Sequence, residues 1–174
     1  VQTQIELASS DILTADPREI TQGLPISGTV KALNYAVIKA RVAGEVKEIL
    51  VREGDPVKAG QVLARIDPTE YQRRWTQAQE QALAAKSQME IAQRQWDTNK
   101  ALVDQGFISK AAMDNSLASY QGAVATQKAA IAGAEVARKA LDDASLLAPF
   151  SGVIAVRAAQ VGERVGVDAK VLEL

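Results

Sequence analysis

The chain has 174 residues, enough for one ordinary domain or for several small modules threaded through one another. With 20 Lys and Arg against 21 Asp and Glu, it carries no charge excess that would draw it to nucleic acid or to an anionic membrane surface. Cys and His are both absent, which removes thiol catalysis, disulfides, thiolate metal sites, the commonest general base and the commonest neutral metal ligand; no enzyme is expected. No stretch approaches the ~20 apolar residues that cross a bilayer, and Val1 opens neither a signal peptide nor a lipidation site, so any targeting segment would lie upstream of Val1.

Residues 1–35 alternate at Val1, Thr3, Ile5 and Leu7, pass Pro17 and Gly23, and reach an expected strand at Gly28-Thr29-Val30. They read as N-terminal strands of a β-barrel-like module, with its completing strands expected beyond Leu174. Residues 36–67 are rich in Val, Ile and Gly, and residues 146–174 in Val and Gly. Laid over residues 38–57, residues 146–165 match without gaps, at an offset of 108 that takes Ile38 to Leu146. Ala40/Ala148, Gly44/Gly152, Gly54/Gly162 and Val57/Val165 are identical pairs, and Val46/Ile154 and Asp55/Glu163 are conservative ones. The glycines fall where two turns need them. A half-unit this short cannot bury its own core, so the two halves are expected to pack together as one small β-sandwich.

Residues 68–145, between them, contain no proline after Pro68, and Pro149 closes the segment. Small or apolar residues recur at Tyr71, Trp75, Ala78, Ala82, Ala85, Met89, Ala92 and Trp96, an alternation of four and three that marks a coiled-coil seam. The second arm offers Met113, Leu117, Tyr120, Val124, Ile131, Ala134 and Leu141, with Gln127 and Arg138 as awkward occupants of seam slots. Two antiparallel helices are expected, over about 69–105 and 109–145, each reaching roughly 50 Å. At the tip, about 104–109, Gly106 can end the first helix and Ser109 can cap the second. Phe107 and Ile108 are apolar at a place far from any core; either they pack on the tip itself or they meet a partner. Met89 and Met113 fit the seam better than a metal site, and Asp114, Asp142 and Asp143 read as solvated charge on helix faces.

The first repeat, with Gly44, Gly54-Asp55-Pro56-Val57 and Gly60-Gln61-Val62-Leu63, resembles half of a biotinyl/lipoyl carrier domain. The attachment Lys of such carriers is missing: the connection reads Asp67-Pro68-Thr69-Glu70-Tyr71, so no cofactor is expected. A split lipoyl-like sandwich with an inserted α-helical hairpin resembles the HlyD-like membrane fusion proteins, closest to the adaptors of resistance-nodulation-division (RND) efflux pumps. Further markers are Ile26-Ser27-Gly28-Thr29-Val30, Val42-Ala43-Gly44, Gly106-Phe107-Ile108-Ser109-Lys110 and Ala148-Pro149-Phe150-Ser151-Gly152.

The resemblance implies a non-catalytic periplasmic adaptor, held at the inner membrane by an upstream anchor. It also implies a ring of copies, a hexamer or trimer of dimers, between an inner-membrane transporter and a TolC-type outer-membrane channel. Hairpin length favours an RND transporter over an ABC or major-facilitator one. The family's docking motif is an Arg, a Leu four later and a Ser seven after that. Leu102 and Ser109 match it, while the Arg position is Thr98, with Lys100 a nearby source of charge. The docking set expected by resemblance is therefore Thr98, Lys100, Leu102, Val103, Gly106, Phe107, Ile108 and Ser109. Two other readings compete: a lipoyl or biotin carrier, which needs the missing Lys, and an unrelated coiled-coil scaffold, which leaves the repeat unexplained.

Overall fold

The computed structural model describes every residue except 1–3, 7, 12, 16, 20–21 and 30–31. It divides into two units, residues 1–33 and 34–174. In the first, the described residues hold one 3-10 turn, Ser9–Asp11, and no strand. The strands expected in residues 1–35 are therefore not formed among the described residues. Ile5, Leu24 and Ile26 are more than four-fifths exposed, and Gly28 and Thr29 join no ladder among the described residues; a strand without a ladder partner is not stable in water. Val1, Thr3, Leu7 and Val30 lie outside the described residues.

The second unit begins with β1 (Val37–Lys39), β2 (Gly44–Ile49), β3 (Pro56–Val57) and β4 (Val62–Ile66), followed by α1 (Thr69–Asp104) and α2 (Lys110–Asp142). It ends with β5 (Ser145–Leu147), β6 (Gly152–Val153), β7 (Val156–Arg157), β8 (Arg164–Val165) and β9 (Lys170–Glu173). The strands form antiparallel sheets of order β1-β9-β7, β5-β4-β2-β8 and β3-β6, so most ladders join one half of the repeat to the other.

Each ladder has a twin at the 108-residue offset. Ile38↔Leu172 in β1–β9 corresponds to Leu146↔Ala64 in β5–β4, and Gly44↔Val165 in β2–β8 to Gly152↔Val57 in β6–β3. Glu48↔Arg65 in β2–β4 corresponds to Val156↔Glu173 in β7–β9. The turns obey the same rule: the Gly54 N–H donates to Ile154 O and the Gly162 N–H to Val46 O, both at 2.8 Å, with φ of +88° and +86°. These left-handed angles are why glycine recurs there. The sequence repeat is a structural pseudo-twofold, and the core follows it. Val46/Ile154, Val57/Val165, Leu63/Val171, Ala64/Leu172 and Ile66/Leu174 are at most 5% exposed. The Ile66 N–H donates to Ala144 O beneath the hairpin; its twin is Leu174 N–H to Ala36 O, where the two ends of this unit meet.

In the hairpin, every seam position expected on α1 is at least half-buried, and Ala92 is buried outright. On α2 the expected seam residues Val124, Gln127, Ala134 and Leu141 are half-buried, and the seam differs from expectation at Ile131 and Arg138. Ile131 is 43% exposed and the Arg138 side chain 69% exposed. The residues turned toward α1 are Ser116, Tyr120, Ala123, Gln127, Ala130, Ala134, Ala137 and Leu141, a strict alternation of four and three. Small side chains form this face because they let two helices approach closely. Ile131 instead lines an open groove on the hairpin flank with Trp75 and Leu83.

Candidate docking site at the hairpin tip

The end of the hairpin is built from stacked rings and a tight helical stop. Trp96 of α1 stacks on Tyr120 of α2 with centroids 5.6 Å apart and planes 1° from parallel, tying the helices together below the turn. Lys100, one turn above Trp96, holds its ammonium 5.6 Å from the ring centroid, a cation–π contact. The Thr98 hydroxyl donates to Arg94 O at 2.9 Å. At the position where the family motif has Arg, the side chain is thus turned back on its own helix, and the nearby cation is engaged by an aromatic face.

Above them α1 ends in a Schellman arrangement: the Gly106 N–H donates to Val103 O and the Phe107 N–H to Leu102 O, both at 2.9 Å. Gly106 has φ +75°, which a side chain would strain. Ser109 is extended and its Oγ accepts from the Ala112 N–H at 3.2 Å, capping α2. Leu102, Val103 and Ile108 are half-buried, while Phe107 is 73% exposed. The last turn of α1 and the loop bring Leu102, Val103, Gly106, Phe107, Ile108 and Ser109 together; Thr98 and Lys100 stand further down α1, both exposed.

Elsewhere, the β4–α1 connection carries no Lys. The Asp67 carboxylate accepts from the Thr69 hydroxyl at 2.7 Å and the Thr69 N–H at 3.1 Å, and these bonds hold it below the usual carboxylate range. Among the described residues no three His, Cys, Asp or Glu gather as metal ligands, and no helix is long and apolar enough to cross a membrane. Met89 and Met113 lie half-buried along the hairpin seam. Asp142 makes a loose exposed pair with Arg138 at 3.9 Å. Asp143 corrects the expectation of a solvated charge: it is mostly buried and bonded to both Lys139 and Arg41.

Comparison with known proteins agrees with this architecture. A family model described as the barrel-sandwich hybrid domain of RND MFP proteins matches residues 34–170. Multidrug resistance protein MdtA of Pectobacterium carotovorum is 34% identical over 135 residues, 78% of this chain and 33% of that protein. MdtA of Yersinia pestis is 31% identical over 156 residues, 90% of this chain and 35% of that protein. The chain thus spans about a third of the length of the curated relatives it matches. Among solved structures, a MacA–MexA chimera carrying the Pseudomonas aeruginosa MexA α-hairpin domain superposes with TM-score 0.60 at 25% identity, over 82% of this chain and 48% of that one. A candidate efflux transporter of Bacteroides eggerthii superposes with TM-score 0.58 at 30% identity, over 82% and 40%. The split sandwich, its inserted hairpin and the family match agree, and the chain belongs to the RND membrane fusion proteins.

Proposed function

We propose that this chain is the sandwich-and-hairpin part of a periplasmic adaptor in a multidrug efflux system, and that the hairpin tip docks on a TolC-type outer-membrane channel. The observation that carries the reading is Phe107, an aromatic side chain 73% exposed at the end of a long hairpin. Burying such a ring against a partner stabilises the contact by about 1.5–3 kcal/mol, which the free chain forgoes. Leu102, Val103 and Ile108 surround it with partly covered apolar surface, and Ser109 and Gly106 fix the turn that presents it. Thr98 and Lys100 are committed within the hairpin, so docking rests on shape and apolar contact more than on a charged fork. The reading includes an inner-membrane transporter of the RND class as second partner and a ring of copies, six or three pairs. It places the adaptor in the periplasm, anchored to the inner membrane, with no catalytic step of its own.

The test is drug export in cells lacking the native adaptor and complemented with the full-length protein carrying Phe107→Asp or Leu102→Asp. Export should fall sharply in both at unchanged expression and melting temperature. Full export from both would sink tip docking and move the partner surface elsewhere.

A further inference from the structure

The base of the hairpin holds an arrangement that neither the fold nor its repeat requires. The hairpin joins the sandwich at two points, Asp67–Pro68 leaving β4 and Asp143–Ala144 entering β5, and these strands are neighbours in one sheet. Two joints side by side define an axis about which a long hairpin can rock. A third contact from another segment stops that motion, and the turn between β1 and β2 supplies one to each helix. Tyr71, in the first turn of α1, donates its hydroxyl to Ala43 O at 2.6 Å. Arg41 Nη1 donates to Asp143 Oδ1 at 3.2 Å, and Lys139 closes on the same oxygen. Burial pushes the Asp143 carboxyl up, yet the bonds from Lys139 and Arg41 outweigh it and hold the group below its usual range.

The turn itself is anchored in the sandwich. Ala40 is 1% and Val42 9% exposed, the Ala40 N–H donates to Ala169 O at 2.8 Å, and a Cβ on Gly44 would stand 2.5 Å from Ile66 Cγ2. The pseudo-twofold shows that such a turn needs no Arg, since Pro149 and Ser151 occupy the positions equivalent to Arg41 and Ala43. At that pole the Ser151 Oγ accepts from the Ala59 N–H at 3.0 Å, a contact within the sandwich.

We propose that the turn Arg41–Ala43 sets the bearing of the hairpin, with Arg41, Asp143 and Tyr71 as positioning residues that grip one helix root each way. This goes beyond the docking reading and does not rest on what the tip meets. The lever is long: α1 has 36 residues, about 54 Å, so a swing of ~10° at the root moves the tip by ~9 Å.

The chain has no Cys, so nitroxides placed at Gln105→Cys and Lys58→Cys report the tip-to-body distance directly by pulsed dipolar spectroscopy. The parent should give one narrow distance distribution. Arg41→Ala, Asp143→Asn and Tyr71→Phe should each broaden it, by the component of the tip's ~9 Å displacement per 10° that lies along the line to Lys58. Arg41→Lys, which keeps the charge, should restore most of the narrowness, and Arg65→Ala, which breaks the 2.7 Å pair with Glu48 on the sandwich, should leave it unchanged. Arg41 is 73% exposed, so its removal does not threaten the fold. Distributions as narrow in Arg41→Ala and Tyr71→Phe as in the parent, at equal melting temperature, would overturn the proposal.

Discussion

The sandwich and the hairpin are held together by different means. In the sandwich, side chains such as Leu63, Ile66, Ile154 and Leu172 are almost wholly removed from water; Leu63, Ile66 and Leu172 lie on β4 and β9, whose ladders cross between the two halves, and Ile154 bonds across them to Gly54 and Asp55. In the hairpin only Ala92 and Ser116 are buried, and the remaining seam residues keep part of their surface in solvent. Each hairpin contact is therefore weak alone, and the two helices depend on having many of them in register. The sandwich concentrates stability in a few residues. The hairpin spreads it along its length and so accepts a small, Ala-rich seam.

Matched substitutions sharpen this contrast. The largest effect is expected from Ile154→Ala, 1% exposed in the sandwich, which should cost about 2–5 kcal/mol in urea denaturation. Ile131→Ala, at 43% exposure on the hairpin flank, should cost less than about 1 kcal/mol; equal losses would break the comparison and return Ile131 to the seam. Glycine gives the next test, with opposite signs. Gly44→Ala drives a methyl into Ile66 and should destabilise by about 1–3 kcal/mol. Gly122→Ala, in α2 with nothing within 4 Å, should raise helix stability by up to ~1 kcal/mol. The smallest effect concerns acid. The folded pKa of Asp143 is depressed, so its contribution is complete above the ordinary carboxylate value of about 4 and disappears as pH falls through the lower folded value. Asp143→Asn should flatten the acid limb of melting temperature against pH below about 4; an unchanged limb would mean that the ion pairs add nothing to stability.

What could be read in advance depended on whether a residue's role is local. The fold class was legible because Gly44/Gly152 and Gly54/Gly162 mark turns by themselves and because apolar positions repeat at one offset. Even there one member hides: Asp168, with φ +65°, occupies the place equivalent to Gly60 at +78°, and no glycine announces it. The stop at Gly106 and the cap at Ser109 are local signals too. The α2 seam was misjudged because Ile131 outweighs Ala130 on any hydropathy scale, whereas close helix approach selects the smaller residue. The grip of Arg41 on Asp143 spans 102 positions and has no local signal at all. Alternation in residues 1–35 suggested strands, but pairing decides whether a strand exists, and no pairing occurs among the described residues there.

The interleaving of the two halves also bears on how the chain folds. Of the six ladders only β2–β4 and β7–β9 form within one half; the other four wait for residues on the far side of the hairpin. Closing so long a loop in one step is entropically slow. Helices that zip from the Gly106 turn downward divide the closure into many short steps, each adding one turn of contact, until Ile66 and Ala144 meet. The projecting arm is thereby also a guide that brings β5 to β4.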